Sequence, residues 1–566
     1  MGLRALQLPA TVQAVLAARI DRLPPEEKSL LQTAAVIGTE VPVPLLQAVA
    51  ERPEAALHRS LAHLQAAEFL YETRLFPAPE YTFKHALTQQ VAYEMLLQER
   101  RRALHAGIVE ALERLHPDRL AAQVERLAHH ALRGEVWAKA LRYGGQAGEK
   151  AMARSAYREA RGYFEQALSA LPQLPKTRDM REQAVDLRLA LRSALVPTGN
   201  VGRILETLRE AEVLAASLDD LRRLAHVSLF LSYHFRSMGT YDQAIDAAQR
   251  VLALVTAGGE VALQALANQF LGLAYRAQGD YRRAIDCLGQ TVAFFDGARR
   301  HERFGQLILP AVVSRADLAG CHAEREMFAE GRALGGEGLR IAEAMAHPGS
   351  LMSAYRGLGL LCLRQGDLAS ALPLLERAVA LSQEADLPSY FPRMAAALGA
   401  AYTLSGRVAD AVPLLMQAMD QTTASERVGD EALCRLPLGE AHLVAGRPAE
   451  AHALAEGVRA HAHAHQERGH EAYALRLLGA IAARREPPEH DQAHDYYCQA
   501  LALAEELGMR PLQAHCHLGL GKLYSELGRQ DDACIELQTA IALYRAMDMA
   551  FWLPQAEAAL VQVEGR

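Results

Sequence analysis

Asn268–Phe294 reads NQFLGLAYRAQGDYRRAIDCLGQTVAF, and the placing of its small and apolar residues decides the fold. Counting from Leu271, Gly272 stands one residue on, Tyr275 four, Gly279 eight, Tyr281 ten, Ala284 thirteen, Leu288 seventeen and Thr291 twenty. Steps of three and four keep side chains on one face of a helix. A glycine between two such runs suits a helix end, because it adopts a left-handed backbone without a Cβ penalty. The stretch is expected to form a helix, a tight turn and a second helix packed back on the first.

The same register returns along most of the chain. The Leu-Gly pair recurs as Leu358-Gly359, Leu398-Gly399, Leu438-Gly439, Leu478-Gly479 and Leu520-Gly521. Looser copies stand at Leu191-Arg192, Leu231-Ser232 and Leu318-Ala319. Most steps are 40 residues; Leu271 to Leu318 is 47 and Leu478 to Leu520 is 42. The small residue at offset thirteen follows as Ala244, Ala284, Gly331, Ala371, Ala411, Ala451 and Ala533. It comes two residues late, at Ala493, where Glu486-Pro487-Pro488-Glu489 lengthens the turn. Glycine and alanine let the paired helices approach, and overpacking such a contact costs about 1–3 kcal/mol. Turn glycines recur as Gly239, Gly279, Gly366, Gly406, Gly446 and Gly528. This pattern resembles the tetratricopeptide (TPR) repeat, lengthened from the usual period of about 34 residues. The expected class is all-α: a TPR-type superhelix of helical hairpins, an α-solenoid, preceded by a small winged-helix domain with one β-hairpin.

Composition agrees with a repeat array. The chain has 566 residues, half of them apolar, with only two Trp, and it is too long for one core. A net charge of −7 is small for this length and implies no global attraction to nucleic acid or membrane. The seven cysteines are scattered and never form C-x-x-C, so they read as small residues of a reducing compartment. No apolar run reaches the roughly 18 residues of a membrane span, and no signal-peptide core opens the chain. A cytoplasmic protein is expected.

The first 116 residues follow another plan. Thr11 to Leu23 has Val12, Val15, Leu16, Ile20 and Leu23 at helical spacing. Pro24-Pro25-Glu26-Glu27 suits the first turn of a second helix, with a core of Leu30, Leu31, Ala34, Ala35 and Ile37 up to Gly38. Helices are expected over Pro44–Ala50 and Pro53–Ala67. A hairpin follows, with strands at Leu70–Phe76 and Tyr81–Phe83 around Pro77-Ala78-Pro79. Three helices and a hairpin make a winged-helix arrangement.

Two runs here, LPATVQAVLAARIDRLPPEEKSLLQTAAVIG and LAHLQAAEFLYETRLFPAPEYTFKHALTQQVAYEMLLQERRRALH, resemble the winged-helix region of STAND-type signalling ATPases. In particular they resemble those attached to class III adenylate cyclases or LuxR-type regulators. The match spans about the first 105 residues, with Phe83-Lys84-His85-Ala86-Leu87 and Ala92-Tyr93 its most specific part. It implies a domain that follows an ATP-binding domain and holds it at rest, with His85 matching a nucleotide-contacting histidine. No G-x-x-x-x-G-K-[ST] occurs, and Gly521-Lys522 lies inside a repeat. A P-loop needs its glycines to turn backbone N–H groups onto phosphate. This sequence alone is therefore expected neither to bind nor to hydrolyse ATP. It reads as a truncated gene product, or as the back half of a split system whose ATPase or cyclase is a separate chain.

Other candidate chemistry is thin. The third helix carries Arg59 and two histidines against Glu54, too few cations for a DNA-reading helix, so no nucleic-acid partner is expected. Arg100-Arg101-Arg102 reads as a solvated face. His461 and His465 share a helix face, as metal ligands can, but the sequence offers no plausible completing shell. The glycines from Gly331 to Gly338 fall at helix-packing positions. No catalytic motif is present, so neither an enzyme nor a cofactor or metal is expected.

The first helix of each TPR unit lines the concave face. Its free positions, two and five residues either side of the Leu, hold Arg236, Arg276, Arg356, Arg393, Arg476 and Lys522, against one acid, Glu440. Two alternatives stand: a positive groove for an acidic protein or peptide, or cations paired with acids on adjacent helices. The organisation expected is a terminal helix of a missing ATPase module (1–23), a winged helix (24–116), transitional helical pairs (117–175), a TPR array of about nine repeats (176–546) and a capping helix (547–566). The function expected is a non-catalytic regulatory scaffold that binds a protein partner or effector and, in relatives, controls a signalling ATPase or cyclase. The alternative is the ligand-sensing arm of a LuxR-type transcription regulator.

Overall fold

A computed structural model describes residues 10–74, 79–255 and 260–565. The expected turn at Pro77-Ala78 and the end of its first strand, Leu75-Phe76, lie outside the described residues. The chain divides into two compact units, Met1–Leu191 and Arg192–Arg566.

The N-terminal unit opens with helices Ala10–Asp21 and Pro25–Ile37, followed by Val43–Ala50 and Glu54–Ala66. It also holds a three-stranded antiparallel sheet of β1 (Glu40–Pro42), β2 (Leu70–Arg74) and β3 (Glu80–Phe83), in the order β1-β3-β2. The sequence pointed to the β2–β3 hairpin alone. β1 is three residues long and ends on a proline, so periodicity could not mark it, yet Val41 is fully buried opposite Tyr81. A second difference concerns the first helix. Ile20 is buried as expected, but Val12 and Val15 are exposed, Val15 by 60%, because only the last turns of that helix cover the core. Helices Ala86–Glu94, Gln98–Leu115, Val124–Arg133, Trp137–Ala153 and Tyr157–Ala170 complete the unit's packing.

The second unit is an array of TPR-type helical hairpins. Eight pairs run from Leu221–Ser237 with Tyr241–Val255 through to Arg510–Glu526 with Gln530–Ala546, and Leu553–Glu564 closes the stack. The register works as the spacing required. A Cβ on Gly272, Gly359, Gly399 or Gly521 would come within 2.4–2.7 Å of Leu288, Leu375, Leu415 or Leu537, the residue at offset seventeen of its own hairpin. In the copy with the long turn, Gly479 meets Tyr497, two residues late like Ala493. Gly279 sits at φ +85°, and the other five turn glycines are also left-handed. The 47-residue step is filled by a 3-10 turn, Gly297–His301, and the loop that leads to Pro310.

The array coils far enough to touch itself. Tyr241 Oη donates to Glu467 Oε1 at 2.6 Å, and His465 Nδ1 lies 3.1 Å from the Gly239 carbonyl oxygen. Gln278 donates to Gln466 (3.2 Å), Tyr473 to Glu324 (2.7 Å) and Arg510 to Glu326 (3.1 Å). These partners are 149 to 226 residues apart, so successive coils are bonded to each other and enclose the axis. Among the described residues no helix is long and apolar enough to cross a membrane.

Candidate functional site

The enclosed axis holds a cavity of about 270 Å³, lined mainly by the first helices of successive hairpins. Arg192, Arg236, Arg276, Arg356, Arg364 and Arg393 reach its wall, against three acids, Asp317, Glu324 and Glu440. Tyrosines Tyr233, Tyr241, Tyr281, Tyr390 and Tyr473 share the lining with aliphatic residues. The inward-facing offsets of a hairpin repeat bring residues far apart in sequence onto one surface.

The arginines fall into two sets. Arg276 pairs with Asp317 at 2.5 Å, and Arg364 with Glu324 at 2.9 Å. Arg393 reaches Asp430 at 2.6 Å, and Asp430, 0% exposed, also takes Arg427 at 2.9 Å. Burial alone would raise the Asp430 carboxyl, but the two guanidinium groups hold it far below its usual range. Arg192, Arg236 and Arg356 have no carboxylate partner among the described residues, and the Nε of each is buried without a hydrogen bond. Arg192 is 3% exposed and stacks on Phe230 and Tyr233, 4.0 and 4.9 Å from the ring centres. Burial brings the Arg192 and Arg356 guanidinium groups down to about 10, and it lowers that of Arg236 too. Tyr233 reports the same field. Burial raises its phenol, yet Arg427, Arg236, Arg393 and Arg192 together bring it down to about 7.

Of the six groove residues expected from sequence, Arg236, Arg276, Arg356 and Arg393 line the cavity. Arg476 does not; it is bound to Glu440. Lys522 is exposed on the helix Arg510–Glu526. Arg276, Arg393 and Arg476 are thus paired with acids on adjacent helices, and Arg236 and Arg356 are not. Arg192, Arg364 and Arg427 escaped the sequence reading. Arg192 had a signal, since it occupies the offset that glycine holds in the regular copies. Arg364 and Arg427 lie off the free positions and had none.

Behind the cavity wall Glu467 is 0% exposed and accepts hydrogen bonds from Tyr241 and from His470 Nδ1 at 2.7 Å. His461 Nε2 stands 3.7 Å from Glu467, too long for a hydrogen bond, and its ring lies against His465. Burial pushes the Glu467 carboxyl up, but His461, His470 and Tyr241 outweigh it and hold it down at about 2. Of the two histidines singled out as a possible metal pair, His461 thus lies beside a buried carboxylate that joins two coils, and His465 meets the Gly239 carbonyl oxygen at the same junction. No cluster of three or more potential metal ligands occurs among the described residues. In the N-terminal unit His85 is exposed at the start of Ala86–Glu94. Of the basic run, Arg101 stacks on Tyr93 and Arg102 pairs with Glu135 at 2.9 Å.

Residues 223–296 match the family model for the tetratricopeptide repeat. An uncharacterized protein of Rhizobium meliloti (strain 1021) is 30% identical over 200 residues, which is 35% of this chain. The chain matches only 19% of that relative's length. Among solved structures, a Rap protein complexed with competence and sporulation factor aligns over 65% of this chain and 98% of its own, at 15% identity and a TM-score of 0.49. NprR in complex with its cognate peptide NprX aligns over 64% and 98%, at 13% identity and a TM-score of 0.44. A STAND protein with a tetratricopeptide repeat sensor from Pyrococcus horikoshii aligns over 98% of this chain and 67% of its own, at 12% identity and a TM-score of 0.35.

Proposed function

We propose that this chain is a non-catalytic regulatory module whose repeat array captures an effector, a protein or an acidic peptide, in its arginine-lined interior. In this reading the N-terminal unit is a winged-helix domain that passes the bound state to a signalling ATPase or cyclase, supplied by another chain or another part of the same protein. The whole works in the cytoplasm. The observation that carries the reading is the cavity itself, where six arginines from five helices share the lining with three acids. The two sequence runs that resemble STAND-type ATPases support the link to an ATPase, and the exposed His85 is free to meet a nucleotide held by such a partner.

A second reading, the small-molecule-sensing arm of a transcription regulator, draws on the enclosure of the cavity by bonds between coils. Fluorescence anisotropy with labelled acidic, neutral and basic peptides of equal length tests the first. The acidic peptides should bind best, release as salt rises, and bind at least tenfold more weakly to Arg236→Gln and Arg356→Gln variants whose helicity is unchanged. Equal binding of all three peptides would refute it.

A further inference from the structure

The unpaired polar atoms of the cavity specify a kind of ligand. Five of them have no hydrogen-bond partner among the described residues: Nε of Arg192, Arg236 and Arg356, Nε2 of Gln306 and Oε1 of Gln269. Four are donors and one is an acceptor, so what satisfies them is rich in acceptor oxygens. None of these three guanidinium groups has a carboxylate within salt-bridge distance among the described residues, and Asp430 and Asp317 act on Arg236 and Arg356 only from further off. Removing a charge from water without a partner is strongly unfavourable, and folded chains retain such groups where a ligand completes them. Guanidinium groups match carboxylate and phosphate oxygens in geometry as well as in charge. The volume of about 270 Å³ lies just below the range of about 300–1,000 Å³ that holds drug-sized ligands, too little for a folded partner.

We infer that Arg192, Arg236 and Arg356 form a binding site for a small polyanion, a metabolite-sized molecule carrying two or more carboxylate or phosphate charges. This rests on the cavity being the effector site and, like the second reading, puts a small molecule there in place of a protein or peptide. Arg393 acts on both Arg236 and Arg356, and Asp430 already pairs with it, so the guanidinium groups without a salt bridge are the ones left for anionic groups. The aromatic and aliphatic lining of the cavity would hold the ligand's carbon skeleton.

The test is thermal unfolding of the full chain against citrate for the carboxylate source and pyrophosphate for the phosphate source. Sodium chloride at matched ionic strength and sorbitol are the controls. A saturable rise in Tm is expected with at least one polyanion and with neither control. Arg356→Met and Arg236→Met should lose that rise, with apparent affinity at least tenfold lower, while the unliganded variants melt at or above the wild-type temperature because a buried unpaired charge is gone. Arg356→Lys, which keeps the charge and loses the fork, should bind with intermediate affinity. A shift no larger than that of chloride, or one that survives in both methionine variants, overturns the polyanion site. If acidic peptides still bind in that case and lose binding in the same variants, the effector cavity stands and only the small ligand is excluded. If peptides and polyanions both fail, both proposals fall.

Discussion

Two carboxylates in the array are 0% exposed, Asp430 and Glu467, and the protein treats them differently. Asp430 lies between Arg393 and Arg427, cations that keep their charge at any pH the fold survives. Arg427 stands 3 residues before it and Arg393 37, on the preceding hairpin, so the cluster ties neighbouring hairpins together. Glu467 is held by Tyr241, His470 and His461, groups that need not be charged, and its bond to Tyr241 spans 226 residues from one coil to the next. The first is a fixed anchor within a coil. The second is a fastening between coils, made of weaker and titratable groups on the wall of the cavity. The difference teaches that the stack's local integrity and its closure around the cavity rest on separate chemistries, and each can be broken without the other.

The largest effect is expected at Asp430. Asp430→Ala leaves Arg393 and Arg427 buried without a countercharge, and breaking one side of a buried pair costs about 3–5 kcal/mol. Urea unfolding followed by far-ultraviolet circular dichroism should show it as a large fall in midpoint. A loss below about 1 kcal/mol would mean that Asp430 is no anchor.

Glu467→Gln is expected to cost less, about 1–3 kcal/mol, because Tyr241 and His470 lose only a charged acceptor. Its signature is local. Amide exchange should quicken around Gly239–Asp242 and Gln466–Gly469, where the coils meet, and stay slow around Asp430. Uniform quickening would erase the distinction between anchor and fastening.

Acid separates the two further. A carboxyl held below its ordinary value stabilises the fold fully above the unfolded value, and the contribution is lost as pH falls through the folded one. For Glu467 the stabilisation is complete above about pH 4.5 and fades toward about pH 2. The stability gap between wild type and Glu467→Gln should therefore close as pH falls through that window. It should stay constant from pH 5 to 7 as far as Glu467 itself contributes. Unfolding midpoints of the two proteins, taken at matched ionic strength across the range, check this.

How much of this could be read in the sequence depends on how local each feature is. Gly399 packs on Leu415 and Gly479 on Tyr497, and both follow from offsets within one hairpin, so the hairpins and their register were readable. The arginines at free positions were readable as a set. Their pairing was not, because Arg393 finds its acid 37 residues away and Arg364 finds Glu324 40 residues back, on other hairpins. The closure was hidden altogether: nothing in His461 or Glu467 announces Tyr241, since the meeting depends on the pitch of the superhelix, a small angle summed over several repeats. Strand β1 was lost for the opposite reason. Three residues are too few for any period to show, and the partner strand alone fixes them.

The smallest expected effect lies at Lys522. It is exposed and belongs to neither buried network, though it shares the inward-facing offset that selected the cavity arginines. Lys522→Ala should change stability by no more than about 0.5 kcal/mol, as surface substitutions do. Its affinity for citrate should equal that of wild type in the same melting assay. If Lys522→Ala weakened binding as much as Arg356→Met, attraction would come from the summed field of the concave face, and the contrast between paired and unpaired arginines would lose its meaning. Equal affinity would place recognition in the unpartnered guanidinium groups, where burial has removed the competing water.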